Sequence, residues 1–261
     1  MRNTLVLITA GWLFCHLVMA QNYLIIAHRG ASHEAPENTL AAVNLAWEKG
    51  ADAVEVDVHL SRDLEIMVIH DKDTRRTTGE KHVVKVTGSD VLRSLDAGRI
   101  KNERFAGEQI PFLEEVLNTI PPGKKLFVEI KSDERIISYL EAVVKSHEKS
   151  TQVVLIGFDF KTMEKAKKRM PDLPVFWLHS SATGGYRHSH IERAKAAGLD
   201  GLNFHYRGLR KGYIDSVHAA GMEMYTWTVD DPQVALRLIK SGIDGITTNR
   251  PGWLRENLSI H

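Results

Sequence analysis

Three short segments each end an apolar, β-branched run with ionisable groups: His28-Arg29-Gly30, Glu55-Val56-Asp57 and His70-Asp71. Such groups are costly to bury without partners, so their repeated placement at strand ends implies that they converge on something polar. Glu55 and Asp57 stand two residues apart and share one strand face, with Val54, Val56 and Val58 on the other. If the valines face helices, both carboxylates face the axis of a barrel. Side by side they repel unless a cation or proton intervenes, and oxygen ligands at this spacing suit Mg²⁺ or Ca²⁺. Glu129-Ile130-Lys131 repeats the device. It supplies Glu129 as a third metal ligand and Lys131 as either a phosphate-binding cation or a partner for one of the acids. A structural layer of salt-bridged acids is the competing account, and three acids on neighbouring strands weigh against it.

Arg29 offers a planar fork suited to a phosphate or carboxylate. His28 and His70, at opposite edges of such a metal site, can divide the proton traffic of a phosphodiester cleavage, one taking a proton and the other giving one. Among the 13 histidines, His179 and His205 also fall at strand ends, whereas His147, His188 and His190 read as solvated.

Positioning these groups requires a repeating frame. Eight strand candidates (Tyr23–Ala27, Ala53–Val58, Leu126–Ile130, Gln152–Ile156, Val175–Leu178, Gly201–Phe204, Met224–Thr228 and Gly245–Thr247) alternate with amphipathic helical stretches from Glu37–Lys49 to Gly252–Asn257. Eightfold βα alternation predicts a (β/α)8 TIM barrel, with helices closing at Gly50, Gly198, Gly221 and Gly242. Leu64–Ile69 breaks the alternation. Only Ser61-Arg62-Asp63 precedes it, too few residues for a parallel crossover, so it should pair antiparallel within an insertion of about residues 60–110 after the second barrel strand. The alternative makes Leu64–Ile69 a barrel strand and leaves out the final run.

With 261 residues, 43% hydrophobic and 26% charged, the chain suits one large core. Lys and Arg number 34 against 33 Asp and Glu, so no net basic field recruits nucleic acid or acidic membrane, and any anion must be held locally. Residues 1–20 read as a cleavable signal peptide: Arg2, an apolar run from Thr4 to Met19, then Ala20 before Gln21. That predicts a periplasmic or secreted protein, with residues 21–261 as a single domain and no stable membrane insertion after cleavage. An uncleaved anchor or a buried helix is the alternative. Cleavage also removes Cys15, the sole cysteine, and with it any thiol chemistry.

Taken together, His28-Arg29-Gly30, Pro36-Glu37-Asn38-Thr39, Glu55-Val56-Asp57, His70-Asp71, Glu129-Ile130-Lys131 and Thr226-Trp227-Thr228-Val229 resemble the glycerophosphodiester phosphodiesterase family in order and spacing, over essentially all of residues 21–261. The resemblance implies a TIM barrel with a small insertion and one divalent cation, Mg²⁺ or Ca²⁺, held by Glu55, Asp57 and Glu129. It further implies His28 and His70 as acid and base, and Arg29 and Lys131 on the phosphate. Glu37 matches the acid of the family's Glu-Asn-Thr element; physics alone marks it as an acid near a positive helix start. Trp227 either stacks on a glycerol backbone or apolar head group, or is a core residue under the cap, and the resemblance favours the pocket wall. The family commonly has an aspartate where this chain has Asn249, which keeps hydrogen-bonding capacity and loses charge.

The implied reaction is hydrolysis of a small-molecule glycerophosphodiester to sn-glycerol 3-phosphate and an alcohol, by water or through a cyclic phosphate. Lysophospholipase D and phosphoinositide phospholipase C activities are rivals on the same barrel. Polar Arg75, Arg76, Lys81 and Lys85 in the insertion favour a soluble head group. A catalytically silent phosphodiester-binding barrel would need a broken site, and every proposed catalytic position is intact.

Overall fold

The computed structural model describes residues 23–180 and 185–258; the expected signal peptide lies outside them. Nine strands run as β1 (Leu24–His28), β2 (Ala53–Leu60), β3 (Ile66–Val68), β4 (Lys125–Ile130), β5 (Val153–Gly157), β6 (Val175–His179), β7 (Gly201–His205), β8 (Glu223–Trp227) and β9 (Gly245–Thr248). Eight of them pair in parallel and close through β1 against β2, forming the expected (β/α)8 barrel. β9 completes the ring between β8 and β1, and β3 pairs antiparallel with the outer end of β2, so Leu64–Ile69 does not supply a barrel strand.

The helices are α1 (Leu40–Glu48), α2 (Arg75–Thr78), α3 (Ser89–Arg93), α4 (Leu113–Asn118), α5 (Ile136–Ser146), α6 (Phe160–Arg169), α7 (His188–Ala196), α8 (Lys211–Ala219), α9 (Pro232–Lys240) and α10 (Pro251–Leu258). α1 starts three residues later than its apolar pattern suggests, because Thr39 is the N-cap and its Oγ1 accepts from the Ala42 N–H at 3.3 Å. The four glycines expected to close helices all adopt positive φ, between 70° and 89°. No helix among the described residues is long and apolar enough to cross a membrane.

Strand alternation sorts side chains into two cores. Val54, Val56, Val58, Leu126 and Val128 face outward to the helices. Ile26, Ala53, Phe127, Val154, Phe176 and Tyr225 fill the barrel interior, where the Phe176 and Tyr225 rings stack at 4.9 Å. Gly245 makes room for this packing, since a Cβ there would lie 2.4 Å from the Tyr225 ring. Towards the strand ends the same inward face turns polar, reading Glu55 and Asp57 on β2 and Glu129 on β4 above this apolar plug.

The stretch between β2 and β4 carries its own small core of Met67, Ile69, Val84, Leu92, Leu95 and Ile110. It is anchored where β1 ends. β1 pairs with β2 as far as Glu55, and the same strand is then met by the Ile69 N–H, which donates to the Asp57 carbonyl at 2.9 Å. That bond places His70 at the barrel mouth.

Candidate active site

Register brings the expected groups to one level, with His28 opposite Glu55 and Asp57 opposite Glu129. The carboxylates of Glu55, Asp57 and Glu129 are buried, with one oxygen from each lying within 4.8 Å of the others. Their partners are few. Glu55 Oε2 accepts from the Arg29 N–H at 2.9 Å, and Asp57 Oδ2 accepts from Asn38 Nδ2 at 2.9 Å and faces Arg29 Nε at 3.2 Å. Lys131 Nζ donates to Glu129 Oε1 at 2.8 Å and stands 3.6 Å from Asp57 Oδ1. Glu55 Oε1 and Asp57 Oδ1 have no hydrogen-bond partner.

Burial, reinforced by the charges of Asp57 and Glu129, pushes the Glu55 carboxyl well above its usual range. Burial and the Asp57 charge likewise lift Glu129 to about 7, against the pull of Lys131. When all three are ionised, these carboxylates facing two cations carry one net negative charge on a set of hard oxygen donors, two of whose buried oxygens accept no hydrogen bond. A divalent cation fits this set: it answers the orphan oxygens and turns the site net positive, as an anionic phosphodiester requires.

The local backbone serves this cluster. Arg29 (φ 55°) and Gly30 (φ 78°) are successive left-handed residues that turn the Arg29 N–H onto Glu55. A Cβ on Gly30 would lie 2.5 Å from the backbone of Ala42, so α1 can approach only a glycine. Asn38, also left-handed at φ 58°, fills the gap between β1 and β3 by accepting the Asp57 N–H on its Oδ1 at 3.1 Å. For a non-glycine residue this conformation costs about 1–2 kcal/mol, which places strain at the site.

The two histidines have different second partners. Asn249 Nδ2 donates to Asp230 Oδ2 at 2.7 Å, which fixes the amide and aims its Oδ1 at His28 Nδ1, 2.7 Å away. His28 Nδ1 therefore carries the hydrogen and Nε2 keeps its lone pair. Burial, then the Arg29 charge, hold this imidazole below its ordinary pKa, so it is neutral at neutral pH. His70 Nδ1 instead lies 2.7 Å from the Asp71 carboxylate. Arg76 joins Asp71 (2.6 Å) to Glu37 (2.7 and 2.8 Å), and Glu37 reaches Arg29 at 2.9 Å. Burial opposes charge on Glu37 and Asp71, but their bonds to Arg76, with Arg29 and His70 respectively, hold both carboxyls down at about 2. Glu37, left open from the sequence, thus ties the loop carrying Arg29 to the one carrying His70.

His28, Arg29, Glu55, His70, Glu129 and Lys131 line one cavity of about 310 Å³, with Asp57 buried beside them. Trp227 lines it too, its Nε1 donating to the Asn203 carbonyl at 3.1 Å and its ring meeting Phe158 edge-on at 5.5 Å. His205 packs edge-on against Trp227 and His179 packs against Phe204; neither lines the cavity. Sequence reasoning passed over Asn203, whose buried, unpartnered Oδ1 belongs to the cavity lining, and Asp230 behind Asn249. Asp230 follows Val229 just beyond β8, so it was one more strand-end acid; Asn203 was a lone amide inside the apolar run of β7. Arg76, exposed on a four-residue helix, was legible only as one of the insertion's polar residues, and nothing in the sequence marked its bridge from Asp71 to Glu37.

A closed βα barrel with its buried polar groups gathered at the C-terminal strand ends defines a TIM-barrel enzyme. The Glycerophosphoryl diester phosphodiesterase family pattern matches residues 28–253, and the chain belongs to that family. It is 35% identical over 240 residues to a glycerophosphodiester phosphodiesterase of Caldanaerobacter subterraneus subsp. tengcongensis, covering 88% of this chain and 96% of the relative. A phosphodiesterase from Oleispira antarctica, solved with the product sn-glycerol-3-phosphate, superposes with a TM-score of 0.85 at 29% identity, covering 90% of this chain and 96% of that one. The human lysophospholipase D GDPD1 is 26% identical, with 89% of this chain and 85% of the relative covered.

Proposed function

We propose that the protein hydrolyses glycerophosphodiesters to sn-glycerol 3-phosphate and an alcohol, with a divalent cation held by Glu55, Asp57 and Glu129. The observation that carries this reading is the buried triad with its two unpartnered oxygens, beside two histidines that are held by different partners in one cavity. The cation, Mg²⁺ or Ca²⁺, would supply Lewis-acid polarisation of the phosphate. Arg29 and Lys131 bind the non-bridging oxygens and balance the charge that grows on them. Neutral His28 takes the proton of the attacking hydroxyl on Nε2, either of water directly or of the substrate's own neighbouring hydroxyl, in which case a water then opens the cyclic phosphate with the two histidines in exchanged roles. His70, its ring oriented by the Nδ1 contact with Asp71, delivers a proton from Nε2 to the departing alkoxide, so one proton is taken and one is given. Asn203 Oδ1 accepts from a glycerol hydroxyl, and Trp227 with Phe158 walls the carbon skeleton.

The apolar Ile156, Phe158, Leu178 and Trp227 in the lining, together with the human relative, favour a second reading as a lysophospholipase D. A panel of glycerophosphocholine, glycerophosphoethanolamine, glycerophosphoinositol and a lysophospholipid, assayed with either cation and with products identified, separates the two. Release of glycerol 3-phosphate from the water-soluble diesters supports the first reading, and turnover of the lysophospholipid alone replaces it with the second. We also infer that residues 1–20 are removed on export to the periplasm or medium, leaving residues 21–261 as one domain. Sequencing of the mature N-terminus should then begin at Gln21, and an intact Met1 in the exported protein would refute it.

A further inference from the structure

Beside the catalytic cavity lies a second one of about 390 Å³, and Lys131 lines both. Buried His59, two residues beyond Asp57 on β2, lines the second and donates its Nε2–H at 3.1 Å to the carbonyl of His70, which lines the first. The rim is drawn together by backbone hydrogen bonds within the segment between β2 and β4. The Arg62 N–H donates to the Thr87 carbonyl and the Val84 N–H to the Lys72 carbonyl, each at 3.0 Å, and so Arg62, Lys72 and Lys85 meet at one cavity.

Five cationic side chains and one carboxylate line this space. Lys131 is engaged by Glu129 and Asp57, and Arg135 grips Asp133 at 2.8 and 2.9 Å. Asp63, next to Arg62, is turned to Ser61 and Ser89. Among the described residues, the side chains of Arg62, Lys72 and Lys85 make no hydrogen bond or ion pair, and Lys85 lies near enough to Asp133 to act on its carboxylate. Some exposed lysines elsewhere are paired, as in Lys145 with Glu141 and Lys211 with Asp215; what distinguishes Lys72 and Lys85 is that they converge with Arg62 on one cavity. In a chain with 34 basic and 33 acidic residues, this local excess reflects placement and not composition. Like charges gathered in excess of their counter-charges repel, and an anion bound among them relieves that cost.

Resting on the catalytic reading above, we propose that this side cavity receives the leaving alcohol of glycerophosphodiesters whose alcohol bears its own phosphate, held there by Arg62, Lys72 and Lys85. Lys131, common to both linings, sets the two cavities side by side, as a phosphodiester spanning them requires. Leu60, Leu64 and Val83, also in the lining, suit the carbon skeleton between the two phosphates. The volume falls in the roughly 300–1,000 Å³ range of small-molecule sites.

The test compares kcat/KM for glycerophosphoinositol 4-phosphate and glycerophosphoinositol at low salt. The wild type should prefer the phosphorylated diester by about tenfold or more, as charge-assisted contacts predict, and 0.5 M NaCl should erode the preference. Lys72→Met/Lys85→Met should abolish it while leaving glycerophosphoinositol turnover unchanged, and Lys72→Arg/Lys85→Arg should retain it. Equal substrate ratios in the wild type and the Met variant overturn the proposal. So does orthophosphate binding that the Met variant loses without any substrate preference, since that marks a site for free anions. If neither diester is cleaved, the catalytic reading fails separately, and calorimetry with inositol 1,4-bisphosphate decides: binding lost in the Met variant upholds the cavity's ligand class, and no binding to the wild type refutes it.

Discussion

At the scale of single residues, the electrostatic design turns on what stands behind each histidine. Asn249 contributes no charge of its own, but its hydrogen bonds to Asp230 lock the amide so that only one His28 tautomer fits. Substituting Asn249→Leu removes that lock and should lower kcat about a hundredfold, the usual scale of one general base, with a much smaller change in KM. Asn249→Asp sets a carboxylate against His28 and should raise its pKa. Because the unsubstituted imidazole is held below its ordinary value, activity at saturating cation should persist below pH 6.5 in the wild type as the pH is lowered, whereas in the Asp variant the acid-side loss should already set in at a higher pH. Steady-state pH profiles check both; overlapping acid limbs would remove Asn249 from this role. The histidines, the triad, Arg29 and Lys131 were legible because ionisable groups at strand ends are rare and two-residue spacing fixes a shared face. Asn203 and Asp230 were not, since a single amide or acid acquires meaning only when the fold shows what it faces.

On the proposed mechanism, the elements divide into those that would hold the cation and those that would hold the proton donor. The triad sits on β2 and β4, adjacent strands of the barrel, whereas His70 sits just past β3, beside the small core around Leu92 and Ile110. Leu92→Ala should therefore destabilise this segment by about 2–5 kcal/mol, lowering kcat while the cation Kd changes little. Hydrogen exchange should quicken over residues 66–110 and not in β2 or β4; equal loss of cation affinity would contradict this separation. The barrel itself could be read from eight alternations and four helix-closing glycines. The segment after β2 could be read only as antiparallel and polar, because helices of four and five residues carry no apolar period, and the seating of His70 comes from a tertiary bond, Ile69 N–H to the Asp57 carbonyl.

For the molecule as a whole, the buried triad couples folding, protons and the cation. Glu129 is lifted to about 7 in the metal-free fold, so between about pH 4.5 and 7 the folded chain keeps a proton that the unfolded chain has lost. That contribution to stability is present at low pH and disappears as pH rises through about 7. A bound cation replaces the proton, so the rise in Tm on adding cation should grow from pH 5.5 to 7.5 and flatten in Glu129→Gln. At about one hundred times its Kd the cation should add roughly 2.7 kcal/mol, or about 5–10 °C in a chain of this size. Calorimetric scans check the trend, and a Tm increment independent of pH would contradict the coupling.

The most direct measurement follows glycerol 3-phosphate release from glycerophosphocholine while metal-stripped protein is titrated with Mg²⁺ or Ca²⁺. The expected result is no turnover in chelator, recovery that saturates with one bound cation per chain, and no recovery in Glu55→Gln. Undiminished turnover in chelator with no cation bound would contradict the account.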